Sequence, residues 1–200
     1  MKKVMYLYFV VIIIGTLILN TGCTNNVSKQ VIKTEFEVSN EKVELEKASI
    51  LSNKADILLP KSFSIMTEEM AKMKYPSERR PTIIYTNVSG SINIALNHTQ
   101  SKATNSQISA YMDSMKKTFE NLYPSAQWYN SSVEKVNGKK VGVLELVTPA
   151  SDTEIYNLMW LTDLDGRLLI STFNCTKEQM NDWKPIAKSI MNSQLFRIRS

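Results

Sequence analysis

Apolar and polar residues alternate along most of the chain after residue 40, and the alternation switches period twice. Strand-like runs occupy Lys42–Ile50, Ala55–Leu59, Pro81–Asn87, Ser91–Asn97, Trp128–Val136, Lys140–Thr148, Glu154–Thr162 and Arg167–Asn174, and several of them alternate with a period of two. In several of them one face is apolar: Ile92, Ile94 and Leu96; Val141 and Val143, with Glu145 in the next inward place; Leu168 and Ile170, followed by Thr172. Val31–Val38 alternates more weakly and reads in part as an edge strand. A period near 3.6 takes over in Ser106–Leu122, where Ile108, Tyr111, Met112, Met115, Phe119 and Leu122 form one stripe. It returns in Lys177–Ser193 with Met180, Trp183, Ala187, Ile190 and Met191, and a short helix is expected over Glu68–Lys74.

The boundaries carry their own chemistry. Thr104 with Gln107, and Thr176 with Gln179, have the spacing of a capping box at each long helix start. Pro124 closes the first long helix. Pro185 sits inside the second, which therefore should kink or start late, near Asp182. Asn137-Gly138 and Asp165-Gly166 suit the positive φ angles of two-residue hairpin turns, and Ser89-Gly90 marks a third. Strands joined by tight turns, with helices between, predict an α+β fold: an antiparallel β-sheet packed with helices in a sandwich.

The N-terminus follows a different pattern. Lys2 and Lys3 precede Val4–Leu19, an uncharged and almost wholly apolar run of 16 residues. That is shorter than the roughly 20 residues a bilayer-spanning helix needs, so a cleaved export signal is expected over 1–22. Thr21 and Gly22 then precede Cys23. These residues resemble a lipobox, the site recognised by prolipoprotein diacylglyceryl transferase and signal peptidase II, although Asn20 stands where the pattern has leucine and Leu19 comes one place early. The resemblance implies lipidation of Cys23, a polar tether over 23–40 and a single domain over 41–200, held by a lipid anchor at the extracytoplasmic face of the cell membrane. Two acyl chains hold durably where one does not. An uncleaved N-terminal anchor is the alternative.

Charge and candidate chemistry then narrow the function. The formal charge is +5; loss of Lys2 and Lys3 leaves 22 basic against 19 acidic residues, a field too weak to argue for nucleic acid. Arg197 and Arg199 read as a solvated end. With Cys23 acylated, Cys175 has no disulfide partner and reads as a small buried hydrophobe near a strand end. His98 is the only histidine, so neither a metal site nor a catalytic triad can be assembled around it from sequence. Asp163-Leu164-Asp165-Gly166 lacks the later ligands of a calcium loop and reads as a turn. The motifs Asn87, Asn97, Asn130 and Asn174, each two residues before Ser or Thr, are attributed to chance in an Asn- and Ser-rich chain. No cofactor and no metal is called for. One connector stands out: Lys72, Tyr75, Arg79 and Arg80 cluster between the short helix and a strand. Tyr and Arg are favoured at interface centres, which makes this a possible interaction loop.

The element order also resembles the PsbP-like fold, which includes DcrB-like envelope proteins and implies an α/β/α sandwich. The residues that carry it are Leu59-Pro60-Lys61-Ser62-Phe63, the strand Ile92–Asn97, the turn Val136-Asn137-Gly138-Lys139-Lys140-Val141, the strand Leu168–Phe173 and the terminal helix bearing Trp183, over about 55–197. The segment Tyr75–Pro81 has no counterpart in it. The resemblance implies an accessory binding or assembly protein without enzymatic activity, whose partner is an envelope or surface protein. A surface-exposed inhibitor, immunity-type or host-interacting lipoprotein and, behind it, an envelope hydrolase are the alternatives.

Overall fold

A computed structural model of the chain describes residues 32–76 and 80–197. The export segment, Cys23 and most of the tether therefore lie outside the described residues, as do Arg79 and Arg199. Among the described residues no helix is long and apolar enough to cross a membrane.

The strands are β1 (Glu35–Val38), β2 (Glu41–Ile50), β3 (Ala55–Pro60), β4 (Ser64–Ile65), β5 (Ile83–Thr86), β6 (Asn93–Lys102), β7 (Gln127–Val136), β8 (Lys139–Pro149), β9 (Glu154–Leu164), β10 (Arg167–Thr176) and β11 (Leu195–Phe196). The helices are α1 (Glu68–Lys74), α2 (Ile108–Leu122) and α3 (Met180–Ser193). All strand pairs are antiparallel. They form not one sheet but two: a seven-stranded sheet in the order β4-β5-β6-β10-β9-β8-β7 and a four-stranded sheet in the order β1-β2-β3-β11. The first strand, β1, lies within the stretch assigned to the tether.

The large sheet is covered on both faces, so β8 is buried almost continuously from Val141 to Thr148. On one side Ile108 and Met112 of α2 pack on Leu144, Leu146, Met159 and Leu161. On the other, Trp183, Ile186, Ala187 and Ile190 of α3 join Val143, Val147, Tyr156, Leu158 and Trp160 of the large sheet to Leu45, Ile57 and Leu59 of the small one. The α+β sandwich expected from the periodicities is what the chain adopts.

The turns form as their residues dictate. Asn137 and Gly138 have φ of 47° and 89°, and Asp165 and Gly166 have 50° and 73°. Both capping boxes are present, each heading a single 3₁₀ turn before its helix. Regular α-helix begins at Met180, two residues before the late start expected near Asp182, so Pro185 lies inside it and its missing N–H leaves the Asn181 carbonyl without its helical donor. The β2–β3 turn was hidden because Leu51, Ser52 and Asn53 all take positive φ (52°, 56° and 62°) without a glycine.

Where α2 crosses β8, the approach is close. A Cβ added to Gly142 would lie 2.8 Å from Met112 Cβ and 3.2 Å from Leu161 Cγ. Gly142→Ala is therefore expected to destabilise by about 1–3 kcal/mol through overpacking, measured by thermal melting. An unchanged melting temperature would mean α2 is not seated on this strand.

Candidate functional site

The connector singled out in the sequence is built around α1. Thr67 caps the helix, its Oγ1 accepting from Met70 N at 3.2 Å. Met66, Ile84 and Ala95 form the floor beneath, and Met70, Ala71 and Tyr75 pack against it. Tyr75 is thus half-buried, and burial pushes its hydroxyl above the ordinary value against an opposing hydrogen bond with Asn174. Arg80 Nε donates to the Tyr75 carbonyl at 3.1 Å, and its guanidinium reaches Glu68 at 3.6 Å. Lys72 pairs with the same Glu68 at 3.4 Å and is largely exposed. The fold thus gathers Lys72 and Arg80 on one carboxylate and gives Tyr75 a packing role. Next to them Met73, 77% exposed, is the most open apolar side chain of α1.

The other candidates are held by the fold itself. His98 shares a hydrogen bond with the Leu164 carbonyl at 2.9 Å. Asp163 accepts from Lys139 Nζ at 2.7 Å, and Asp165 pairs with Lys54 at 3.1 Å. Cys175 is buried near the end of β10, and burial pushes its thiol up to about 12, so it carries no thiolate at neutral pH. No group of three or more His, Cys, Asp or Glu side chains among the described residues is placed to hold a metal.

Arg197 is not a solvated end. Its guanidinium bonds Asp56 Oδ1 at 2.6 Å and Ser49 Oγ at 2.7 Å, while Lys47 reaches Asp56 Oδ2 at 2.9 Å. These contacts, Arg197 foremost, hold the Asp56 carboxyl far below the usual range and tie the chain's last described residue to the small sheet.

The most tightly coordinated polar group is one the sequence only hinted at. Glu145 occupies an inward position of β8 and is 1% exposed. Its Oε1 accepts from Tyr156 Oη at 3.1 Å and pairs with Lys184, while Oε2 faces Lys188 at 3.4 Å. Lys184 also lies 5.0 Å over the Tyr129 ring. Burial disfavours the charged carboxylate, but the Lys184 hydrogen bond and the Lys188 charge outweigh it and hold the carboxyl below its ordinary value. Burial and that neighbouring carboxylate push the Tyr156 hydroxyl far up. The cluster fastens α3 to the large sheet through charge.

No protein-family profile matches the chain, and no curated sequence does. Solved structures do. The solution structure of cyanobacterial PsbP (CyanoP) from Synechocystis sp. PCC 6803 superposes with a TM-score of 0.58 at 12% identity, covering 76% of this chain and 92% of that one. LpqN of Mycobacterium tuberculosis, described as involved in cell envelope biogenesis, gives 0.50 at 10% identity, covering 83% and 100%. Identities this low speak for the fold alone. The two antiparallel sheets and their helices thus form an α+β fold like that of PsbP.

Proposed function

We propose that this chain is an extracytoplasmic lipoprotein, tethered to the cell membrane through acylated Cys23, that acts as a non-enzymatic binding or assembly module. The observation that carries the reading is the contrast between its two cysteines. Cys23 follows an apolar run and Gly22, while Cys175 is sealed in the core with its thiol pushed up to about 12. The absence of a catalytic role is supported by what the candidate groups do: His98, Asp163 and Glu145 each have a structural partner. An envelope setting is in keeping with the fold shared with LpqN. The contact surface for an envelope or surface protein is the α1–β5 connector, with Lys72 and Met73 offered to solvent and Tyr75 and Arg80 fixing its shape.

Cells expressing the wild type should incorporate radioactive fatty acid into this protein, and Cys23→Ser should abolish the label while the domain still folds. Labelling that survives the substitution would remove Cys23 as the anchor.

A further inference from the structure

The β7–β8 hairpin places two lysines directly opposite each other. The Asn137-Gly138 turn sets the register Val136↔Lys139, then Lys135↔Lys140, so both ammonium groups stand on one face of the sheet. It is the face under α2, because Gly142, two residues beyond Lys140, abuts Met112. Like charges directly opposed across a pair of strands destabilise it. Nothing among the described residues relieves the opposition. The neighbouring Lys139 has Asp163 at 2.7 Å, but no carboxylate of the described residues pairs with Lys135 or Lys140. Glu134 is close in sequence, yet its carboxylate accepts from Ser132 Oγ at 2.9 Å and Asn130 Nδ2 at 3.4 Å.

The two lysines line a concavity of about 380 Å³ together with Asn105, Val133, Glu134 and Gly138. Asn105 is anchored there, its Oδ1 accepting from Lys140 N at 2.7 Å, which leaves its Nδ2 as a donor. Asn105 also opens the 3₁₀ turn that leads into α2, so its backbone is fixed beside the hairpin.

We infer that Lys135, Lys140 and Asn105 form a binding site for a phosphate group, whether free or carried by a lipid headgroup. A tetrahedral oxyanion between the two ammonium groups turns their mutual repulsion into two charge-assisted hydrogen bonds, and the Asn105 amide supplies a third donor. The concavity is open, so the phosphate can bear a substituent that stays in solvent. The site lies on the α2 face and needs neither the acyl anchor nor the α1 connector, so it stands independently of the function proposed above.

The test uses the ¹⁵N-labelled full chain in uncharged maltoside micelles, titrated with inorganic phosphate at constant ionic strength against chloride. Saturating amide shifts confined to Asn105, Lys135, Gly138 and Lys140 are expected. Each of Lys135→Ala and Lys140→Ala should weaken binding at least about tenfold, the loss of one hydrogen bond to a charged group. Lys135→Glu should abolish the shifts and raise the melting temperature, because it replaces a like-charge pair with an opposite one. That combination separates loss of the site from loss of the fold. Doping the micelles with phosphatidylglycerol or with phosphatidylcholine distinguishes the sources: the same amide shifts with the first alone, lost when either lysine is replaced, identify a headgroup, and shifts with inorganic phosphate but with neither lipid identify a soluble ligand. Shifts that do not saturate, that appear equally at Lys184 and Lys188, or that persist in the double alanine variant would overturn the site.

Discussion

Trp183→Ala is expected to destabilise the protein by about 3–5 kcal/mol, the range for deleting a large buried aromatic. Trp183 is 7% exposed and stands where the two sheets and α3 meet. Its indole stacks on Phe173 of β10 at 6.1 Å between ring centroids. On another side it meets Phe63, from the link between β3 and β4, at 5.8 Å. One side chain therefore joins the terminal helix, the large sheet and the chain that leaves the small sheet. Urea unfolding measures the loss directly. A change below about 1 kcal/mol would mean that the helix is held by its charges instead, and that the aromatic contact is incidental. Phe63→Leu should lose part of its own effect in the Trp183→Ala background, since contacting residues are not additive.

The second large effect is expected at Glu145. Glu145→Ala removes the acceptor of a buried tyrosine hydroxyl and the counter-charge of two lysines. Breaking a fully buried ion pair costs about 3–5 kcal/mol, but Lys184 and Lys188 are 31% and 45% exposed and can turn to water, so about 2–4 kcal/mol is expected here. Glu145→Gln keeps the shape and an acceptor for Tyr156 and should cost less. The two differ from the wild type in pH dependence too. A carboxyl held below its ordinary 4.5 in the fold contributes stability that is complete above that value and is lost as pH falls through the folded one. The wild type should therefore lose stability on acidification below about pH 4.5, and Glu145→Gln should show a shallower acid limb. Asp56, held lower still by Arg197, contributes in the same direction at more acidic pH. Parallel acid limbs for wild type and Glu145→Gln would show that the carboxylate is not stabilised in the fold.

Much of this architecture is legible in the sequence wherever a local rule fixes the geometry. Asn137-Gly138 and Asp165-Gly166 name their turns because few other pairs take two positive φ angles cheaply. The first of these also fixes the opposition of Lys135 and Lys140, a consequence that can be counted from the turn outward. Thr104 with Gln107 and Thr176 with Gln179 name the helix starts, since side chains must satisfy the first free amides. What stays hidden is what depends on distant contacts. The division into two sheets cannot be read from strand periodicity, because β3 is buried along nearly its whole length and reads like a central strand of the large sheet. Their turn at Leu51–Asn53 lacks the glycine that would mark it. The two-residue strand β11 exists because α3 delivers it beside β3 and Arg197 clasps Asp56 there. Glu145 lies between: an acid at an inward place of an apolar alternation was visible, but the lysines that justify it come from a helix some forty residues further on. Tyr75 and Arg80 stand out in the sequence by composition alone, while the packing of one and the carbonyl that holds the other depend on the fold.

We propose above that this domain is presented outside the cytoplasm on a lipidated cysteine. The most direct measurement is the intact mass of the protein extracted from native membranes, with fragmentation of its N-terminal peptide. The account predicts a chain that begins at Cys23 and carries a diacylglyceryl group on its sulfur. A chain that still begins at Met1, or one cleaved elsewhere with Cys23 unmodified, would contradict it.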